Sequence, residues 1–190
     1  RYTTPLVTTL IGRDQEMEEL RRFRDEPVPE GKSGNVRWWL WYGNGGTGKS
    51  RLANEWLLRS TTRWQVGILK SKLPIDWRPK APTLLVVDYV SRDPKSIADA
   101  IARLNRDDLE HPVRILLLDR RGHKDLPHLR ALRGVGSATE STSLQGTEYA
   151  TPRRLGDLQD EPSLVKLFDL AFYRASGKRT DKSGLDAVRG

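Results

Sequence analysis

The sequence predicts an α/β fold: a three-layer sandwich in which helices cover both faces of a mostly parallel sheet of five strands. Short, almost continuously apolar segments alternate with helical segments, which is typical of parallel strands buried on both faces. A glycine-rich turn follows the first apolar strand and precedes a helix. The 190 residues suffice for one domain with a core, or for one domain and part of another.

The first third of the chain supplies two helices and a strand. Residues 13–23 carry apolar side chains at helical spacing, with acids early and arginines late, so we expect an amphipathic helix. The proline- and glycine-rich segment 25–35 predicts a loop. VRWWLWY (36–42) predicts a buried strand, and KSRLANEWLLRS (49–60) predicts a helix with apolar residues facing inward.

The middle of the chain predicts three further strands and a helix. WQVGIL (64–69) and TLLVVDYV (83–90) are strand-like, and the segment between them, 71–82, predicts a loop. DPKSIADAIARLNRDDL (93–109) predicts a helix capped by its first aspartate, with proline at the first helical position. VRILLLDR (113–120) predicts the fourth buried strand.

The last third is less regular. The small, polar segment 134–151 predicts a loop, RRLGDL (153–158) a short fifth strand, and 161–176 an amphipathic helix. We therefore expect a nucleotide-binding core over 1–158 and the start of a C-terminal helical segment over 159–190. Because the chain begins with Arg1 rather than Met, we also expect it to be an excerpt from a longer protein.

Composition excludes several classes of protein. Hydrophobic residues make up 36% of the chain and charged residues 31%, as in a soluble globular protein. The longest apolar runs, WWLWY and LLVV, are far shorter than the roughly 18 residues of a membrane span, so we expect no membrane partner. The chain has no cysteine, which excludes disulfides and thiolate metal sites and fits a cytoplasmic location.

The net charge of +8 raises the question of nucleic-acid binding. Basic and acidic residues number 8 and 7 in residues 1–50, 13 and 9 in 51–120, and 12 and 9 in 121–190. The excess is thus spread along the chain without a basic block. A solvated, mildly basic surface is the favoured interpretation, and nucleic acid stays a possible partner.

The segment after the first strand matches the phosphate-loop pattern G-x-x-x-x-G-K-[ST] and lies between a strand and a helix, as that pattern requires. Glycines allow backbone N–H groups to surround a polyphosphate, and the following helix directs its positive end at the same anion. A lysine at the end of the loop can bridge β- and γ-phosphates, and the next hydroxyl can hold Mg²⁺. We expect nucleotide contacts from Gly43, Asn44, Gly45, Gly46, Thr47, Gly48, Lys49, Ser50 and Arg51.

Two more residues complete the predicted site. Asp88 ends the third strand, and in a parallel sheet it reaches the carboxyl edge, where ligands bind. There, together with Ser50, it can hold or orient Mg²⁺. Arg120 ends the fourth strand at the same edge and is the candidate sensor of the γ-phosphate, a role for which Arg121 competes. We assign catalytic roles to Lys49, Asp88 and Arg120.

With these residues in place, the chain resembles the STAND class of P-loop NTPases, which contains NACHT and NB-ARC domains, and within it the bacterial members. The likeness runs over roughly residues 8–175. The segments that carry it are LIGRDQEMEEL (10–20), GNGGTGKSRLANEW (43–56), LLVVDYV (84–90), VRILLLDR (113–120) and LGDLQDEPSLVKLF (155–168).

The resemblance implies a P-loop NTPase sheet whose sensor strand lies between the phosphate-loop and Walker B strands. It implies an adenine pocket that includes residues 10–13, with Leu10 and Ile11 against the base and Gly12 and Arg13 beside them, and ATP or ADP and Mg²⁺ as ligands. It further implies a molecular switch with slow ATP hydrolysis, self-association on activation, and an effector domain elsewhere in a signalling or antiphage defence protein. The chain departs from many relatives in having Tyr89 where a second acid positions the attacking water, and in ending at Gly190 before a helical lid.

Three other functions stay open. A metabolic P-loop kinase needs an arginine-bearing lid and an acceptor pocket, and neither stands out in the sequence. A DNA-handling ATPase of the AAA+ kind would suit the positive charge. A protein-interaction domain with a degenerate nucleotide site is disfavoured by the intact Lys49, Ser50 and Asp88. No guanine-reading NKxD stretch is present, which favours adenine.

Overall fold

The structure is a computed structural model, and it describes residues 10–27, 35–69, 77–107, 109–121, 130, 132–133, 146–158 and 162–166. The chain divides into two compact units. One is Met17–Gly156, and the other combines Arg1–Glu16 with Asp157–Gly190. The predicted domain boundary at residue 158 stays a prediction.

Helices and strands follow one another largely as the sequence predicts, and β2 leads to β3 without a named helix between them. In chain order they are α1 (Asp14–Asp25), β1 (Val36–Tyr42), α2 (Lys49–Ser60), β2 (Gln65–Leu69), β3 (Thr83–Asp88), a 3₁₀ turn (Val90–Arg92), α3 (Pro94–Arg106), β4 (Val113–Asp119) and β5 (Arg153–Arg154).

The five strands form one sheet in the order β2-β3-β4-β1-β5, and every pairing is parallel. The predicted α/β fold with a parallel five-stranded sheet is confirmed, and β4 lies between β1 and β3 as expected. Because all strands point the same way, the carboxyl ends of β1, β3 and β4 meet at one edge. The phosphate-loop segment leaves from this edge.

One face of the sheet packs against α3. Side chains from β1, β3 and β4 form a core with those of α3, and the largest contributors are fully buried. α3 begins as predicted, because the Asp93 side chain accepts the Ser96 N–H at 3.2 Å and Pro94 occupies the first turn. The core residues on this face include Trp38, Leu40, Ile101, Leu104, Ile115 and Leu117.

The opposite face carries α2 and the later part of α1. Phe23 packs against Trp39, with ring centroids 5.7 Å apart, and stacks on Trp56 at 6.0 Å. The Trp56 indole N–H donates to the Leu20 carbonyl at 3.1 Å, so the two helices are joined by a buried hydrogen bond as well as by apolar contact. Such aromatic pairs add to the free energy gained from area burial alone.

Several predicted boundaries differ from those observed. β3 ends at Asp88 rather than at residue 90, because Tyr89 adopts a left-handed backbone conformation and the chain enters the 3₁₀ turn. β5 covers only Arg153–Arg154 of the predicted 153–158. Residues 162–166 are helical, whereas 167–176 of that predicted helix and 134–145 of the predicted loop lie outside the described residues.

None of the helices in the described ranges combines the length and the apolar character that crossing a bilayer requires.

Candidate functional site

The phosphate-loop segment turns through conformations that suit glycine. Gly46 and Gly48 have φ of 87° and 89°, in the left-handed region that a side chain disfavours. Gly43 needs its missing side chain for another reason, since a Cβ there would collide with the Leu155 carbonyl oxygen. Gly48 lies at the amino end of α2, so the loop passes directly into the positive end of that helix.

The predicted loop residues differ in how far they are exposed to solvent. Asn44, Gly45 and Gly46 are exposed, whereas Thr47 is buried and its hydroxyl donates to the Asn44 carbonyl at 3.0 Å. Arg51 is exposed in the first turn of α2. The outer part of the loop is thus open to solvent, and its base is fixed by hydrogen bonds.

Lys49 is folded onto the loop. Its Nζ donates to the carbonyl oxygens of Gly43 and Asn44, at 2.7 and 2.8 Å. Partial burial lowers the pKa of the Lys49 ammonium, and the nearby Asp88 carboxylate partly offsets that effect. A phosphate would compete with these two carbonyls for the ammonium protons.

Ser50 and Asp88 lie together. The Ser50 hydroxyl at the start of α2 donates to Asp88 Oδ2 at the end of β3, at 2.8 Å. The two residues are 38 positions apart in the chain, so the sheet topology creates this pairing. A serine hydroxyl and a carboxylate are hard oxygen donors of the kind Mg²⁺ prefers. Among the described residues, no group of three or more His, Asp or Glu side chains forms another candidate metal site.

Asp119, the last residue of β4, was not predicted as a site residue. It is 3% exposed, and its carboxylate accepts the backbone N–H groups of Ser91 at 2.7 Å and Arg120 at 2.6 Å. Burial raises the pKa of this carboxyl, but hydrogen bonds from Ser91, Arg120 and Arg121 outweigh burial and hold the pKa below its ordinary value. The sequence did offer one indication of its importance, since Asp119 is a carboxylate at the end of β4, directly before the candidate sensor Arg120.

Arg120 is exposed at the carboxyl edge and contacts Tyr89. Its Nη2 donates to the Tyr89 hydroxyl at 3.3 Å, and its guanidinium carbon lies 5.4 Å from the ring centroid. The preceding residue, Asp119, accepts the Gly43 N–H on its carbonyl at 3.2 Å, so the sensor candidate follows directly on a contact with the phosphate loop. Arg121, the competing candidate, is also exposed.

The predicted adenine segment belongs to the unit formed by Arg1–Glu16 and Asp157–Gly190. Gly12 has a φ of 65°, and a Cβ there would collide with the Ser163 hydroxyl. Arg13 is buried and pairs with Glu16 at 2.7 Å. Ile11 is half-buried. The role of this segment at the adenine stays a prediction.

No known family model matches the chain, and neither does any curated protein sequence. Solved structures do match its fold. The Aeropyrum pernix Orc1 protein in complex with DNA has a TM-score of 0.53 at 15% identity, over 95% of this chain and 53% of that one. Cdc6p from Pyrobaculum aerophilum has a TM-score of 0.55 at 12% identity, over 95% and 54%.

A third match, the Aeropyrum pernix ORC2 protein in its ADP form, has a TM-score of 0.55 at 12% identity, over 90% of this chain and 55% of that one. The chain therefore spans about half the length of the structures it matches. At these identities the likeness shows the fold alone, which is that of the P-loop ATPases. Membership of the STAND class stays a prediction.

Proposed function

We propose that the chain binds Mg²⁺ and ATP or ADP at segment 43–50 and acts as a slow ATPase. The observation that carries this proposal is the 2.8 Å hydrogen bond between Ser50 and Asp88, which joins the end of the phosphate loop to the end of β3. Two oxygen atoms of the kind that Mg²⁺ prefers thus lie beside a glycine-rich loop at a helix amino end, a favourable setting for an anion. An isolated glycine-rich turn would have no reason to be paired with a carboxylate.

The proposed roles follow from the position of each side chain. The backbone of Gly43–Gly48, with Arg51 beside it, would surround the phosphates, and Lys49 would exchange its carbonyl partners for phosphate oxygens. Ser50 and Asp88 would hold Mg²⁺, whose charge neutralises that of the phosphates. Arg120 would sense the γ-phosphate, with Arg121 as the alternative, and Ile11, Gly12 and Arg13 would contact the adenine.

Lys49→Ala tests the nucleotide proposal. We expect ATP affinity to fall at least about tenfold, because a charge-assisted hydrogen bond contributes about 1.5–3 kcal/mol, while the fold survives because the side chain is not part of the core. Calorimetry with ATP and Mg²⁺ measures the affinity, and circular dichroism checks the fold. Lys95→Ala, on the exposed surface of α3, is the control. Unchanged ATP affinity in a folded Lys49→Ala variant refutes the proposal.

Two proposals concern what the ATPase serves. The resemblance to STAND proteins implies a signalling or defence switch that self-associates and acts through an effector domain outside this chain. The structural neighbours favour the AAA+-like, DNA-handling alternative instead, since they are Orc1, Orc2 and Cdc6 proteins and one was solved with DNA. The net charge of +8 also suits a polyanion. We therefore favour the DNA-handling role.

DNA binding that depends steeply on salt distinguishes the two. Duplex binding should weaken about tenfold or more between 50 and 200 mM salt, because each neutralised phosphate releases counterions, and DNA should increase phosphate release. Fluorescence anisotropy and a phosphate-release assay measure these effects. Absence of both, together with ATP-dependent self-association in sedimentation, would favour the signalling switch.

A further inference from the structure

Tyr89 has an unusual backbone. Its φ of 58° and ψ of 57° lie in the left-handed region, and within the described part of the chain it is the one non-glycine residue with positive φ. For an L-residue this conformation costs about 1–2 kcal/mol. Strain of this kind persists where surrounding contacts impose it, often at functional or switch sites. Tyr89 comes directly after Asp88, the proposed Mg²⁺ ligand.

Two contacts hold the strained turn. The Tyr89 carbonyl accepts the Arg92 N–H at 3.0 Å, which closes the 3₁₀ turn. Asp119 accepts the N–H of Ser91 at 2.7 Å through one oxygen and the N–H of Arg120 at 2.6 Å through the other. One buried carboxylate thus joins the turn after β3 to the turn after β4, so that the Tyr89 and Arg120 backbones are held in a fixed relation.

The strained turn brings the Tyr89 side chain against the candidate sensor. Arg120 donates to the Tyr89 hydroxyl at 3.3 Å and lies 5.4 Å from the ring centroid. The Arg92 guanidinium carbon is 4.6 Å from the same centroid, so the ring contacts two cations. Since Arg120 is exposed and its side chain is long, a fixed aromatic partner reduces the number of rotamers it populates.

We propose that Tyr89 is a positioning residue, which holds the Arg120 guanidinium where it distinguishes a nucleoside triphosphate from a diphosphate. This inference rests on the proposed nucleotide site and adds a residue to it. Tyr89 replaces the second acid of many P-loop enzymes, so on this account the position serves discrimination between nucleotides rather than activation of water. The Tyr89 ring orients Arg120 by cation–π contact, and its hydroxyl fixes the guanidinium direction.

The test compares affinities for ATP and for ADP, each with Mg²⁺, by calorimetry on the 190-residue chain. Tyr89→Phe keeps the ring and removes the hydroxyl. We expect it to weaken ATP binding about threefold to tenfold, the range of one lost hydrogen bond to a charged group after partial compensation by the ring, and to leave ADP binding unchanged. Arg120→Ala should also lower the preference for ATP over ADP. In a protein that already carries Arg120→Ala, the added Tyr89→Phe change should have no further effect on that preference.

Tyr149→Phe is the matched control. The Tyr149 hydroxyl also forms a hydrogen bond, which it donates to Glu26 Oε2 at 2.7 Å. The Tyr149 backbone N–H donates to the Trp38 carbonyl near the start of β1, whereas the candidate site lies at the carboxyl ends of the strands. Removal of its hydroxyl should leave the preference for ATP over ADP at the wild-type value. A purely structural role for Tyr89 would lower the unfolding temperature without changing that preference.

The outcomes separate this inference from the function on which it rests. If the wild type binds neither nucleotide, both proposals fail. If it binds both, an ATP-to-ADP preference that is the same in wild type and Tyr89→Phe overturns the positioning role alone. Equal weakening of ATP and ADP by Tyr89→Phe also overturns it, because general damage to the site would then explain the loss.

Discussion

At the scale of single residues, Asp119 is a buried carboxylate that links the turns after β3 and β4 at the carboxyl edge. Its carboxylate accepts backbone N–H groups from two chain segments and is nearly inaccessible to solvent. Burial alone would raise its pKa, and the hydrogen bonds reverse that effect. A charged Asp119 therefore stabilises the folded chain and the geometry of both turns at neutral pH.

Asp119 should make the free energy of unfolding depend on pH in the acidic range. Its folded-state pKa is below the ordinary value, about 3.9 for an unfolded aspartate, so its contribution is complete above about pH 4 and is lost as pH falls through the folded-state pKa. We expect Asp119→Asn to cost about 1–3 kcal/mol at pH 7, and this cost to shrink below about pH 4. Urea unfolding of both proteins between pH 7 and pH 2.5 measures it.

Asp99→Asn provides the control for that experiment, since Asp99 is exposed on α3. Its removal should leave the free energy of unfolding nearly unchanged over the same pH range. A difference between wild type and Asp119→Asn that stays constant with pH would contradict the account of Asp119 as a buried, hydrogen-bonded carboxylate.

At the scale of elements, α1 is anchored to the sheet through Arg114. This residue near the start of β4 is 3% exposed, and its guanidinium donates to the carbonyls of Phe23, Asn35 and Glu26 at 3.2, 3.3 and 3.0 Å. Burial, with a smaller effect from the neighbouring Arg37, lowers the pKa of Arg114 to about 10. One buried cation thus satisfies the carbonyls at the end of α1 and the start of β1.

Arg114→Ala should destabilise the fold by about 2–4 kcal/mol, because it removes the guanidinium donor from the buried Phe23 carbonyl and from the partly buried Glu26 carbonyl and opens a cavity. Chemical unfolding monitored by tryptophan fluorescence measures the loss, since Trp39 and Trp56 both pack against α1 through Phe23. Arg59→Ala is the control, because Arg59 is exposed on α2 and pairs with Glu55 one turn away. An exposed pair of that kind contributes up to about 1 kcal/mol. Similar losses in both variants would contradict the anchoring role.

Elements whose ends are marked in the sequence itself could be predicted with their correct bounds. β1 and α2 have the predicted bounds, because an apolar run and a glycine loop delimit them in the chain itself. β3 was predicted two residues too long, since Tyr89 and Val90 continue the β-prone composition. The left-handed turn that ends β3 depends on Asp119, a contact across the sheet that no local pattern encodes.

The relative positions of the candidate site residues could also be predicted in part. The loop and Asp88 follow a known motif at strand ends, and parallel topology brings Ser50 and Asp88 together as expected. Asp119 was missed because a polar residue at a strand end has no local signature of burial. The buried Arg37 and Arg114 were likewise read as part of a spread surface charge, although both lie in the sheet interior.

At the scale of the whole molecule, the strand order brings the residues proposed to bind phosphate and to sense the γ-phosphate to one edge of the sheet. β4 lies between β1 and β3, so Arg120 follows a strand whose neighbours end in the phosphate loop and in Asp88. The phosphate-loop segment, Asp88 and Arg120 therefore meet at this edge. The resemblance places a second acid, which positions the attacking water, directly after Asp88, and this chain has Tyr89 at that position.

This arrangement predicts a slow ATPase. A phenol is a poor general base at neutral pH, and the Tyr89 hydroxyl already accepts a hydrogen bond from Arg120. Asp93 is near in sequence, but its side chain caps α3 by accepting the Ser96 N–H. An arginine from a neighbouring subunit, which often accelerates such reactions, would require self-association. We therefore expect turnover by the chain alone below roughly 1 s⁻¹, the low end of ordinary enzymes.

Steady-state phosphate release at saturating ATP and Mg²⁺ measures this turnover, with Asp88→Asn as the variant that should remove it. If the rate is faster than expected, its dependence on protein concentration shows whether the accelerating group comes from a second copy or from the same chain. A rate per chain that rises with concentration indicates an arginine or another group supplied by a second copy, and leaves the isolated site slow. A rate well above about 1 s⁻¹ that is independent of concentration and abolished by Asp88→Asn would mean that a base lies within this chain, so that Tyr89 does not define a slow switch.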